Sequence, residues 1–413
     1  MNNKIKLAVA GAVLASASVA NAGITWDAGE WTVDMNGNVN AFATFADNKD
    51  DGGAIQGGLA NSEGDNDSSE VAIQTGLLPS WLGFTASTRQ NDIDTSVTIS
   101  FQPGAGNTRA LAGGNSTNAA TENRQAFLTF GDKSWGSVKV GKDLGIFGST
   151  AILNDMTLLG VGSNGAGTNG GGTTTTLGGI GTGYIYADWI GQIAYTTPNM
   201  NGFQLTAGIT QPWNAIALST ANSATSSGTT DEFGFQGQAS YSWTGDFAGK
   251  VWAGFFSQEV TGISQAAGGT TSDRANAFEA GVSTSIANIN LVAYAYSGEG
   301  VGTTALLVDG FSGDGQARDS DGGYVQATYV IPTGTKLGVS YGISKLDDNA
   351  YDSNLGAASN LVEENSRLTI GAYHPLTKHL NLVAEYSKVE SEAHANLADL
   401  ETDIFSVGAI LFF

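Results

Sequence analysis

Along much of the chain, apolar and polar residues alternate one by one. In TVDMNGNVNAFATF (32–45), Val33, Met35, Val39, Ala41, Ala43 and Phe45 share one face, and Asp34, Asn36, Asn38 and Asn40 share the other. FGFQGQASYSW (233–243) sets Phe233, Phe235, Ala239, Tyr241 and Trp243 against Gln236, Gln238, Ser240 and Ser242. KLGVSYGIS (336–344) sets Leu337, Val339, Tyr341 and Ile343 against Lys336, Gly338, Ser340 and Gly342. The last stretch, TDIFSVGAILFF, keeps Phe405, Val407, Ala409, Leu411 and Phe413 on one parity. A period of two predicts strands, because successive side chains point to opposite faces. A soluble sandwich and a membrane barrel share that pattern, so alternation alone does not choose between them.

The connections choose. Short turns are predicted near 90–94, 131–136, 198–202, 244–249, 286–289, 332–335 and 375–379. Between them lie long polar connections near 46–78, 103–123, 144–185, 211–232, 258–276, 298–322, 346–366 and 389–402. Seven short and eight long connections alternate strictly, which makes 15 connections and 16 strands. Keeping one end short and the other long is the habit of outer-membrane barrels, with turns on the periplasmic side and loops outside. The expected fold is therefore all-β: a 16-stranded antiparallel transmembrane β-barrel, apolar face to lipid and polar face to a water-filled lumen. Trp31, Trp135, Trp189, Trp243 and Tyr329 fall near strand ends, as interfacial aromatic girdles do.

Composition sharpens this picture. The N-terminus, MNNKIKLAVAGAVLASASVANA, has a basic start, an apolar middle and an Ala20-Asn21-Ala22 cleavage pattern. It reads as a secretory signal removed after Ala22, leaving the barrel domain over 23–413. No later segment approaches the roughly 18 apolar residues of a spanning helix. The chain has no cysteine, so no disulfide framework is available to it, and a barrel closed by strand pairing needs none. Its net charge of −22 argues against nucleic acid as a partner. Only 14% of residues are charged, and the acids concentrate in the long connections: residues 46–69 hold six acids and one lysine.

At this point the chain resembles the general bacterial porins of Gram-negative outer membranes. NRQAFLTFGDKSWGSVKVGKDLGIF (123–147) is similar to the family's strand–turn–strand that leads into the third loop. SWLGFTASTRQNDID (80–94), YADWIGQIAYTTPNMNGFQLTAGI (186–209) and the terminal FSVGAILFF resemble the second strand with its turn, the sixth and seventh strands, and the closing strand. The resemblance implies a homotrimer in outer-membrane lipid and lipopolysaccharide. It also implies that Phe413 is read by the barrel-assembly machinery.

The resemblance further implies an inward-folded third loop that narrows the pore, with loop acids facing basic wall residues. That loop would be 144–185, and Asp155 matches an acidic family position. The family's Pro-Glu-Phe-Gly-Gly stretch is replaced by TLLGVG. On the wall, Asn38 stands where the family has a lysine, and Trp81 and Asp188 stand at arginine positions. Arg124 retains its arginine, Lys142 matches another, and Lys139 lies nearby. Parity puts Asn38 and Asp188 on the lumen face. Arg124 and Lys142 each share a face with apolar residues, which leaves their side open.

These seven residues are the expected constriction, and the loss of wall bases favours cations. The competing reading has Arg124, Lys139 and Lys142 cluster and admit anions. Such a pore passes small hydrophilic solutes by diffusion and does no chemistry. The alternative is a channel selective for one nutrient, served by Trp81.

Other motifs carry less. GVSYG (338–342) matches G-x-S-x-G, but Ser340 sits mid-strand rather than on a strand–turn–helix elbow. GVGSNG (160–165) matches G-x-G-x-x-G without the surrounding βαβ unit. His374, His379 and His394 show no ligand spacing. Asp47, Asp50, Asp65, Asp67, Asp314, Asp319 and Asp321 are oxygen-rich loop positions, where Ca²⁺ competes with simple solvation of acids as the explanation. No other cofactor is expected.

Overall fold

The computed structural model describes residues 23–49, 53–61, 69–105, 121–164, 175–218, 223–228, 230–355, 360–394 and 399–413. The leader expected over 1–22 lies outside the described residues. The strands are β1 (Ile24–Ala28), β2 (Trp31–Asn48), β3 (Ser69–Gln74), β4 (Trp81–Gln90), β5 (Ile93–Phe101), β6 (Ala126–Asp132), β7 (Gly136–Leu144), β8 (Trp189–Thr196) and β9 (Phe203–Thr210). They continue with β10 (Gly234–Trp243), β11 (Phe247–Ser264), β12 (Thr270–Ile286), β13 (Ile289–Glu299), β14 (Asp319–Val330), β15 (Lys336–Leu346), β16 (Val362–Pro375), β17 (Leu380–Ala393) and β18 (Leu400–Phe412).

From β4 to β18 every strand pairs antiparallel with the next. The ring closes where β18 pairs with β2, from Thr402 opposite Asn48 to Phe412 opposite Asn38. Gly37 and Phe413 seal the seam by exchanging backbone hydrogen bonds of 2.9 and 3.0 Å. Both β3 and β4 pair with β2, β3 along 42–47 and β4 along 32–38. They are two halves of one interrupted wall strand, so the wall has the expected 16 strands and no free edge. β1 forms a hairpin with β2 along 31–35, below the end of β18; it is short and was not separable from its surroundings by alternation.

The sides are sorted as the period of two requires. Val39, Phe278, Val325 and Ile370 are outward and well exposed, whereas Gln236, Gln258, Ser340 and Ser387 are inward and buried. In the half nearest the short turns the inner face is a lattice of hydroxyls. Thr85 pairs with Thr98 at 2.9 Å, Ser96 with Thr129 at 2.6 Å, and Thr196 with Thr206 at 3.0 Å. All seven short turns form where predicted. The first uses Asn91 and Asp92, both at positive φ (50° and 63°), the pairing favoured by a tight hairpin. Trp31, Trp135 and Tyr329 are exposed near these turns.

Four expectations need correction. The connection predicted over 258–276 is mostly strand: β11 and β12 pair up to Ser264 opposite Thr270, with an irregularity between Val260 and Ile263. The 389–402 connection likewise loses its ends to β17 and β18, and β3 lies inside the predicted 46–78 loop. Beyond the hydrocarbon the outward positions turn polar (Glu259, Thr261, Lys388, Glu390) while Val260, Ile263, Val389 and Leu400 are buried on the inner side, so the apolar-out alternation reverses while the hydrogen-bond ladder runs on. Trp189 is no girdle residue; its ring lies 5.8 Å from that of Trp81, and Trp81 shares the inward parity of Asn38.

The lumen face is also less polar than alternation suggests. Trp252, Phe256, Tyr294, Tyr296 and Tyr324 project inward and pack with Phe147, Ile152, Leu158, Ile180, Tyr184 and Ile185 into a buried cluster. Those partners belong to the connection between β7 and β8, which folds inside the wall.

Candidate functional site

The inner loop, residues 145–188, contains a short helix α1 (Ser149–Asn154) and one 3₁₀ turn (Met156–Leu159). Neither is long enough to persist by itself. The wall holds them by accepting hydrogen bonds from loop amides. Gln236 of β10 accepts from Ile146 (2.8 Å) and Phe147 (3.0 Å), and Glu279 of β12 from Gly148 (2.9 Å). Gln326 of β14 accepts from Met156 (2.7 Å), and Ser344 of β15 from Gly183 (2.9 Å). Glu385 of β17 accepts from Val161 (2.7 Å), Gly162 (2.9 Å) and the Tyr373 hydroxyl (2.6 Å).

The glycine-rich GVGSNG stretch now has a physical reason. A Cβ on Gly160 would stand 2.1 Å from Glu385 Oε1, and Gly162 has φ +58°. The segment must pass close to a carboxylate with its amides turned toward it.

Asp155 lies inside the barrel as expected, and it faces a basic wall residue, but a different one from those predicted. Its carboxylate is buried, accepts from Thr157 N, Gly179 N and the Tyr184 hydroxyl at 2.9 Å each, and stands 3.9 Å from Arg367 of β16. Burial beside that carboxylate pushes the Tyr184 hydroxyl well above its ordinary pKa. Arg367 itself donates to Thr369 (2.8 Å) and Thr182 (3.2 Å). Nothing in the pattern around RLTIG singled it out except inward parity.

The remaining predicted residues divide. Asn38 is inward, yet it is buried and donates to the Pro79 carbonyl at 3.0 Å. With Asn40, which accepts from Gly76 N and donates to the Leu78 carbonyl (both 2.9 Å), it supports the break between β3 and β4. Lys139 is inward and pairs with Asp143, whose other oxygen accepts from Gln125 at 2.8 Å. Lys142 lies opposite Gly191 on the same parity as Val140 and Ile193, the outward one, and donates to the Asn123 carbonyl at 3.0 Å. It therefore does not join Lys139 in a basic cluster.

Arg124, Trp81 and Asp188 do come together. Arg124 pairs with Glu122 (2.7 Å) and donates to the Tyr186 hydroxyl (3.2 Å), which also accepts from Trp189 Nε1 (2.8 Å). Asp188, at φ +52°, accepts from Trp189 N. Burial raises its pKa, while that hydrogen bond and the Arg124 and Lys142 charges oppose the rise. Burial pushes the Tyr186 hydroxyl up to about 12.

Above the inner loop, the outer connections are fastened to one another by a residue that sequence reasoning missed. Arg318, fully buried, makes two 2.7 Å bonds to Asp352, in the short helix α2 (Ala350–Leu355). It also donates to Ser223 (2.9 Å) and to the carbonyls of Asp309 (2.8 Å) and Phe311 (3.2 Å). Gln56 donates to Ser223 and Asp309 at 2.8 Å each. Three connections thus meet at one guanidinium, and a fourth joins them through Gln56.

Asp309 should make this assembly sensitive to pH. One of its oxygens accepts from Gln56 and Leu218 N, while Oδ2 is buried with no hydrogen bond. Burial raises its pKa, opposed by Gln56, Leu218 N, the Ser223 hydroxyl and the Arg318 charge. A carboxyl raised in the folded state contributes stability that is complete below its unfolded pKa and lost as pH rises through the folded one. Hydrogen exchange over 300–318, corrected for intrinsic rate, is therefore expected to be slower near pH 4.5 than at pH 7.5. Asp309→Asn should reduce that difference; an unchanged difference would assign it to other groups.

The calcium reading gains no geometry. Asp50, Asp65 and Asp67 lie outside the described residues. Asp47 pairs with Lys49, Asp314 accepts from Ser312 and Gln316 N, and Asp319 and Asp321 lie on the outward parity of β14. Among the described residues no group of three or more His, Asp or Glu side chains is placed to hold a metal. His374 meets Thr335, and His394 meets the Leu346 carbonyl. Ser340 is buried on the inner wall, two residues from Gly338, where a Cβ would meet Met156 of the inner loop.

A closed 16-stranded wall, apolar outside and entered by its own third long connection, defines an outer-membrane channel barrel. The profile of the Gram-negative porin family matches residues 8–394, and the chain belongs to that family. No curated protein sequence matches. Among solved structures, the outer-membrane channel DcaP of Acinetobacter baumannii is similar at 16% identity and a TM-score of 0.67, covering 95% of this chain and 100% of that one. An anion-selective porin from Comamonas acidovorans follows at 13% identity and 0.60, covering 93% and 100%. OmpT of Vibrio cholerae in a trimer form stands at 15% and 0.55, again covering 93% and 100%. At such identities the likeness concerns fold.

Proposed function

We propose that this porin is a passive diffusion channel for small hydrophilic solutes and ions, with a preference for cations. The observation that carries the sign is the charge balance of the inner face and the loops over it. Arg124, Lys139, Arg318 and Arg367 each stand within 4.0 Å of a carboxylate. Lys250 and Lys336 have no such partner among the described residues, whereas Asp34, Asp188, Glu279, Asp309 and Glu385 have no basic one. The surplus is negative, and the acidic outer connections add to it. One fixed charge a few Å from the path is worth about 1 kcal/mol in water and more beside a low-dielectric wall, which changes relative permeability several-fold.

In planar bilayers under a KCl gradient, the reversal potential should lie toward the K⁺ equilibrium value. Lys250→Glu with Lys336→Glu should move it further by a several-fold change in the permeability ratio. A reversal potential on the chloride side overturns the sign. The porin of the trimer form supports a homotrimer here. The apolar outer band supports residence in outer-membrane lipid and lipopolysaccharide after removal of the leader. The pairing of Phe413 at the seam supports its role as an assembly signal.

A further inference from the structure

We propose that Trp81 and Trp189 form the stacking platform of a subsite for neutral, ring-form sugars at the root of the inner loop. The proposal rests on the diffusion-channel reading and adds a solute class to it. Several other aromatic pairs inside the wall are buried in the packed interior, among them Tyr184 with Tyr324, Trp252 with Tyr294, and Phe147 with Phe256. The two tryptophans differ: both stay partly exposed, with ring centroids 5.8 Å apart and planes at 46°. Their faces offer the apolar surface on which the C–H face of a pyranose packs.

Polar groups of both kinds ring this platform. Arg124 and Tyr186 supply donors, Glu122 and Asp188 supply carboxylate acceptors, and all are fixed by the bonds described above. Vicinal hydroxyls, each donor and acceptor at once, match such a mixed set. The arginine and its carboxylates largely cancel, so an anion gains little here. An open-chain polyol lacks the flat apolar face and gains less than a ring. Asp188, at φ +52°, is where the inner loop enters β8 beside Trp189.

The test is current through the full-length channel in planar bilayers with maltose, and with sorbitol as the open-chain control. Maltose should reduce the current saturably, and sorbitol should act only in proportion to viscosity. Trp81→Ala and Trp189→Ala should each weaken the apparent maltose affinity about tenfold, the size of a lost stacking contact, and Trp81→Phe should retain most of it. Equal effects of maltose and sorbitol, or maltose block indifferent to both alanine variants, would overturn the subsite while leaving the conducting porin intact. A protein that conducts no ions would remove the channel reading itself.

Discussion

Arg318→Met is expected to unfasten the outer connections from one another while leaving the wall closed. The substitution strands Asp352 as a buried charge without its two 2.7 Å bonds and releases Ser223 and the Asp309 and Phe311 carbonyls. Breaking a buried pair from one side costs about 3–5 kcal/mol, most of what could hold four short segments together. Hydrogen exchange should rise sharply over 300–318 and 350–355 and stay unchanged in β14 and β15, and open-channel conductance should increase. Adding Asp352→Leu should restore much of the protection, because removing both charges leaves no unpaired buried charge. Unaltered exchange in the single variant would show that the connections hold without the guanidinium.

The second large effect is expected at Glu385. Alanine there removes the acceptor for the Val161 and Gly162 amides and for the Tyr373 hydroxyl at once. Each buried donor left unmade costs about 1–3 kcal/mol, so the inner loop should leave β17. Single-channel records should then show larger and noisier openings with near-normal barrel assembly. Glu385→Gln keeps one acceptor oxygen and should fall between alanine and the native residue. Quiet, native-sized openings in the alanine variant would mean that the loop is held by its apolar packing alone.

Sequence pattern reaches the wall and stops short of its contents. The strands and turns were legible because each lipid-facing segment repeats one physical demand, apolar out and small or polar in. Thus Val39, Phe235 and Val339 announced their faces without any knowledge of partners. The inner loop was legible only through resemblance, and the placement of Asp155 inside the barrel came with it. Its partner Arg367 was hidden because inward parity marks many polar residues, and only folding selects one of them.

Asn38 and Lys142 show the opposite failure. Each occupies a family position for a pore base, yet one supports a break in the wall and the other turns outward. Arg318 and Asp352 are separated by 33 intervening residues (319–351), a distance over which no local period speaks. The extended β11–β12 hairpin escapes the pattern because its upper rungs carry polar residues outward and bury Val260, Ile263 and Ala275 inward, the reverse of the lipid-facing rule.

The wall is joined by main-chain bonds that any sequence of the right period can supply. The interior is joined by particular side chains such as Gln236, Glu279 and Glu385. Lineages can therefore keep the vessel while exchanging its fittings, and barrels only 13–16% identical still share one outline. Kinship in shape then says little about cargo, which a handful of inward side chains can set.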